Sequence, residues 1–148
     1  MIVVDLGTWA HYNRANDSVT ALVERFQPEL LWGFDPLLEN EGVNFLGQTL
    51  VIVRRMAAWI RDGEVGFHER GTGSKAGRGP KVPCFDLAAW IATLPEPIVL
   101  KMDVEGAEVR LARKLHETGM DERIALLLVE LHGGELPELR CPIEEWWM

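Results

Sequence analysis

Acidic side chains recur in this sequence where short apolar runs stop. Ile2-Val3-Val4 meets Asp5, Leu6 and Gly7, and the run Leu30–Phe34 stops at Asp35. Ile98–Met102 gives way to Asp103 and Glu105, and the apolar stretch 124–131 ends around Glu130 and His132. Any one of these acids alone reads as a helix cap or a solvated loop residue. Together they describe a polar rim of carboxylates and one imidazole, groups that bind hydroxyls, move protons or ligate cations.

The positions suggest distinct roles. An acid at the end of the second strand, Asp35, is placed to accept both hydroxyls of a ribose. Gly7 lets the backbone approach a ligand closely at the first turn. Yet the first loop, Asp5-Leu6-Gly7-Thr8-Trp9-Ala10-His11, lacks the glycine spacing of a dinucleotide fingerprint. A pyrophosphate cofactor such as NAD is therefore disfavoured, and a phosphate-free S-adenosyl cofactor fits better. Glu130 and His132, two apart on a strand, share a face, and with Asp103 they can form a divalent-metal site. A hydrogen-bonded polar cluster is the favoured account of them, and no metal ligand is assigned. Lys101 either steers an anionic substrate or pairs internally with Glu130 or Asp103. His11, His68 and His116 show no partner at a recognisable spacing and are assigned to the surface. Ser74 lies in no nucleophile elbow, which argues against a serine hydrolase.

These residues need a scaffold, and the intervening pattern supplies one. Asp17 or Ser18 can cap a helix whose face is Val19, Leu22, Val23 and Phe26, stopped by Pro28. Asp86 can cap a second with Leu87, Trp90, Ile91 and Leu94 on one side, broken by Pro95 and Pro97. A third helix is expected with Glu105 and Glu108 early and Arg113 and Lys114 late, complementing its dipole, and Gly119 ends it. Residues 50–53 and 64–69 read as further strands. The glycine-rich segment 71–79, with basic residues around it, reads as a flexible connection or basic lid. Buried strands alternating with amphipathic helices predict one α/β domain, residues 1–148, with a mostly parallel Rossmann-type sheet and helices on both faces.

The totals narrow the partners. With 15 Lys and Arg against 23 Asp and Glu, the net charge of −8 repels phosphate backbones, so nucleic acid is not expected. No apolar run is long enough to span a bilayer, and no signal-peptide pattern precedes the first strand, so a cytoplasmic protein without membrane contact is expected. Cys84 and Cys141 lack metal or redox spacing and read as reduced thiols. The Trp146-Trp147 tail is expected to fold back over a sheet edge or to join a homodimer interface.

The most specific motif is Leu100-Lys101-Met102-Asp103-Val104-Glu105-Gly106-Ala107-Glu108, followed by Val129-Glu130-Leu131-His132. Here the chain resembles the FkbM family of S-adenosylmethionine-dependent methyltransferases. Val4-Asp5-Leu6-Gly7, Gly33-Phe34-Asp35-Pro36 and Phe85-Asp86-Leu87 extend the resemblance over roughly residues 2–132. The family usually has Glu where Asp35 stands, and a small residue followed by Asn or Gly where Thr8 and Trp9 stand. Only fourteen residues follow Gly134, which implies a reduced or divergent member with the C-terminal hairpin shortened or absent. The resemblance implies a class I methyltransferase fold and O-methylation of a small-molecule or sugar hydroxyl. Asp5, Gly7 and Asp35 would hold the cofactor, with Met56 and Ala57 near its adenine. Asp103 and His132 would be candidate general bases, with Lys101 beside them. A non-catalytic Rossmann-type binding or scaffold protein is the alternative, and a nicotinamide-dependent oxidoreductase is a second.

Overall fold

The computed structural model describes residues 1–8, 17–70 and 73–146, without the side chains of 68–70 and 73–78. Its main sheet is built on the apolar runs that the sequence marks as strands. β1 (Ile2–Leu6) lies between β2 (Leu30–Phe34) and β8 (Ile98–Met102), parallel to both. β4 (Thr49–Arg54) pairs outside β2, and β9 (Ile124–Val129) outside β8. β3 (Gly42–Leu46) closes one edge antiparallel to β4, and β10 (Ile143–Glu145) closes the other parallel to β9. The resulting order is β10-β9-β8-β1-β2-β4-β3. With the parallel strands numbered by appearance, that order is 3-2-1-4-5-6, the doubly wound arrangement of Rossmann-like sheets. Connections diverge between β1 and β8, opening a crevice above their carboxyl ends.

Strand alternation sorts the side chains onto two faces. Val3 and Val99 join Leu31, Val51 and Leu128 beneath α1 (Ser18–Phe26), which contributes Val19 and Leu22. Asp17 caps α1, accepting the Thr20 N–H at 2.6 Å. Val4, Leu6, Leu100 and Met102 face the other way, toward α2 (Leu87–Ile91) and α3 (Glu108–Glu117). Helices therefore cover both faces, as the sequence pattern predicts. No helix among the described residues is long and apolar enough to cross a membrane.

A second, three-stranded sheet separates β4 from α2. Its order is β5 (Ala57–Trp59), β7 (Gly73–Asp86), β6 (Gly63–Arg70). The expected flexible loop over 71–79 is thereby corrected: residues 73–79 belong to β7, and 71–72 lie outside the described residues. Backbone pairing explains the difference. Gly73–Ala76 pair with β6 from Arg70 back to Phe67, and the ladder resumes at Lys81 opposite Gly66. Such a ladder satisfies amides and carbonyls without an apolar pattern in the sequence. At its base Ala57, Trp59, Val65, Phe67 and Cys84 pack into the same core as α2 and α3.

Two more boundaries differ from expectation. α3 starts at Glu108, so Glu105 precedes the helix in a turn with φ 53°, followed by Gly106 at φ 106°. β9 stops at Val129, so Glu130 and His132 are not on a strand. The tail folds back: Trp146 is 5% exposed and packs on the α1 face, while 147–148 lie outside the described residues.

Candidate functional site

The crevice holds a cavity of about 290 Å³, close to the lower end of the roughly 300–1,000 Å³ typical of small-molecule sites. Gly7 and Thr8 of the first loop, Asp35 to Leu37 after β2, Met56 to Ala58, Phe67 of the second sheet, and Asp103 to Glu105 line it. Every ionisable group on that wall among the described residues is an acid, and no Lys or Arg reaches it.

Asp35 stands where β2 ends, with one carboxylate oxygen accepting the Leu37 N–H at 2.8 Å. Burial dominates its chemistry and pushes its pKa up to about 6, against the pull of that N–H. No cation pairs with it among the described residues. A neutral diol donating to this carboxylate would stabilise its charged form.

The first loop is built from inside. Thr8 is buried, donates its hydroxyl to the Asp5 carbonyl at 2.9 Å, and occupies the space left by Gly33. A Cβ on Gly7, at φ 81°, would lie 1.8 Å from the Asp103 carbonyl oxygen. The close approach expected at Gly7 is thus to the protein's own backbone. Residues 9–16, with Trp9 and His11, lie outside the described residues.

Asp5 and Lys101 do not reach the cavity. They are register partners on β1 and β8, and alternation turns both toward α1. Lys101 Nζ lies 2.9 Å from Asp5 Oδ1 and donates to the carbonyls of Leu6 and Gly7 at 3.2 and 2.9 Å. Asp5 Oδ2 accepts from Ser18 Oγ at 2.6 Å. Both side chains are sealed from solvent, at 0% and 1% exposure. The expected partners of Lys101, Glu130 and Asp103, are replaced by Asp5, and steering of a substrate by a sealed ammonium is ruled out.

His132 organises the other side of the crevice. Its Nε2 lies 3.5 Å from Asp103 Oδ1, 3.4 Å from Glu105 Oε2 and 3.8 Å from Glu130 Oε1. On the far side of the ring, Glu108 Oε1 is 3.1 Å from Nδ1 and accepts the His132 backbone N–H at 2.9 Å. Burial opposes charge on the imidazole, but the Glu108 hydrogen bond and the surrounding carboxylates outweigh it and raise its pKa. Burial also pushes Asp103 up to about 6, with Lys101 pulling it down and Glu130 pushing it further up.

Of the residues singled out from sequence, Gly7, Asp35, Met56, Ala57 and Asp103 share the cavity wall. His132 sits behind it, in contact with Asp103 and Glu105. The sequence reading gives Glu108 a place in the family motif and a helix dipole to complement, but no part in the site. At 1% exposure it also accepts the Val104 and Gly106 amides, both at 3.1 Å, and so fixes the turn that presents Glu105. The signal for it was present: an acid at the first position of a helix that follows a glycine turn. His116, assigned to the surface, is paired with Asp121 at 2.9 Å, five residues on. The His68 side chain lies outside what is described. Asp103, Glu105 and His132 offer ligand atoms within 4.8 Å of one another, enough to hold a metal ion. No protein-family model, curated protein or solved structure matches this chain.

Proposed function

We propose that the chain is an S-adenosylmethionine-dependent methyltransferase, a divergent relative of the FkbM family, acting on a hydroxyl of a small molecule or sugar. The observation that carries this reading is a cavity whose ionisable lining, among the described residues, is all acidic, with Asp35 at the end of β2. The carboxylates of Asp35, Asp103 and Glu105, with no basic residue beside them among the described residues, repel a pyrophosphate and attract a ligand bearing positive charge. Asp35 is positioned for a ribose diol, and Met56, Ala57 and Ala58 supply apolar surface for a base. When bound, the cofactor supplies a methyl group on a cationic sulfur. The chain's part is to hold the acceptor in line with that group and to accept the hydroxyl proton. Asp103, the only one of the three candidate catalytic residues on the cavity wall, is suited to take that proton on its carboxylate.

Calorimetry with S-adenosylhomocysteine tests the reading. Saturable binding is expected, with a loss of at least tenfold in affinity for Asp35→Ala. Absence of heat at high micromolar ligand would remove the cofactor from the proposal. A binding protein without turnover is the second reading, favoured by the withdrawal of Lys101 and His132 from the cavity wall. It predicts binding of S-adenosylhomocysteine but no methyl transfer to any hydroxyl acceptor.

A further inference from the structure

We propose that Asp103, Glu105 and His132 form a divalent-cation site at the edge of the cavity, of the kind that takes Mn²⁺. The inference deepens the functional reading above by placing a cation at that site, but the cation-binding claim stands on its own geometry. Three observations converge.

The first is separation. Glu105 Oε2 and Asp103 Oδ1 lie 3.4 and 3.5 Å from His132 Nε2, and no described residue makes a hydrogen bond to that nitrogen. Bonds of roughly 2.1–2.2 Å to one ion hold neighbouring ligand atoms about 3.0–3.6 Å apart. The distances are long for hydrogen bonds and fit shared coordination. The second is an under-satisfied oxygen. Asp103 Oδ1 is fully buried and receives no hydrogen bond from the described residues; the cationic group facing it among them, His132 Nε2, stands 3.5 Å away, so a bound metal ion would compensate it more closely. No Lys or Arg pairs with Asp103, Glu105, Glu108 or Glu130 among the described residues, because the nearest ammonium, Lys101, is committed to Asp5.

The third is orientation of the imidazole. Glu108, itself sealed, holds the Nδ1 side of the ring. With one ring proton shared with Glu108 at Nδ1, release of the other on metal binding would leave the Nε2 lone pair on the side of the two carboxylates. A ligating histidine is commonly oriented in this way by a carboxylate on its other nitrogen. One imidazole among carboxylates, with no thiolate, suits Mn²⁺ better than a soft metal. Because Asp103 and Glu105 also line the cavity, the remaining coordination positions open toward whatever occupies it.

The test is titration of the full chain with Mn²⁺ alone, reading loss of the free-ion electron paramagnetic resonance signal. One ion per chain is expected, with binding weakened at least tenfold in Asp103→Asn and in Glu105→Gln. Glu105 is one-third exposed and makes no side-chain hydrogen bond among the described residues, so its amide variant should fold. Glu144→Gln, on edge strand β10 where the carboxylate pairs with Arg25 of α1 rather than with the cluster, should bind as the parent does. Binding that is absent at millimolar Mn²⁺, or is unchanged in both site variants, overturns the proposal. A parallel titration with S-adenosylhomocysteine separates the two claims. Nucleoside binding without Mn²⁺ binding sinks only the cation site, and the converse sinks only the cofactor assignment.

Discussion

Lys101 and Asp103 are two residues apart at the end of one strand, yet they belong to different kinds of site. Lys101 is sealed beneath α1, where Asp5 and two backbone carbonyls satisfy it and Ser18 donates to Asp5 in turn. Asp103, just past the last ladder position, faces the crevice with His132 and Glu105. The inner cluster balances its charge and is closed. The outer one has an excess of carboxylates and is open. The inner cluster shapes the first loop, and the outer one has chemistry left to do.

If that contrast holds, variants should rank by burial. Lys101→Met leaves Asp5 buried without its cation, and a loss of about 3–5 kcal/mol in urea unfolding is expected. Adding Asp5→Leu to it should restore most of that loss, since an apolar pair removes the stranded charge. A double variant as unstable as the single one would show that the pair has some other role. Glu108→Ala, which strips four hydrogen bonds from the outer cluster, should lose roughly 2–4 kcal/mol. It should also lower the His132 pKa, measurable by NMR titration of the ring.

Asp35 gives a pH signature of the open side. Its pKa is raised to about 6, above the value for an unfolded chain. Its favourable contribution to stability is therefore complete near pH 4 and below, and fades as pH rises through about 6. Asp35→Asn should flatten the stability profile between pH 4 and 7. At pH 8 it should exceed the parent by roughly 1–2 kcal/mol, allowing for partial solvent screening. A variant that is less stable than the parent at pH 8 would count against an unpaired buried acid there. The smallest effect belongs to the exposed pair of Arg25 and Glu144 at 3.0 Å, which links α1 to β10. Glu144→Gln should change stability by about 0.5 kcal/mol or less.

The contrast also explains which parts were legible in the sequence. The central parallel strands, the three α-helices among the described residues and the polar rim follow from apolar runs, caps and acids at strand ends. The sequence reading puts Asp5 on the rim and gives Lys101 a substrate to steer or Glu130 or Asp103 to pair with, because a strand end alone does not tell which way a side chain points. Only the pairing of Asp5 with Lys101 across β1 and β8, plus alternation, sends both under α1. Glu108 was hidden because its partners, the His132 amide and ring, are 24 residues away. β6 follows from the strand read over 64–69, whereas the start of β7 is hidden for a different reason, since paired backbone in a glycine-rich segment leaves no hydrophobic period to read. In the outer cluster, Glu105 is presented by a left-handed turn that ordinary helix signals do not announce.

The bonds from Lys101 to the carbonyls of Leu6 and Gly7 span 95 and 94 positions of chain. During synthesis the first strand and its loop emerge long before the lysine that holds them. Until β8 is made, Asp5 has no cation opposite it and the loop carbonyls lack their donor. The N-terminal third is therefore expected to stay loosely organised on the ribosome. Its geometry would become final only when a strand made late slots in beside the first one.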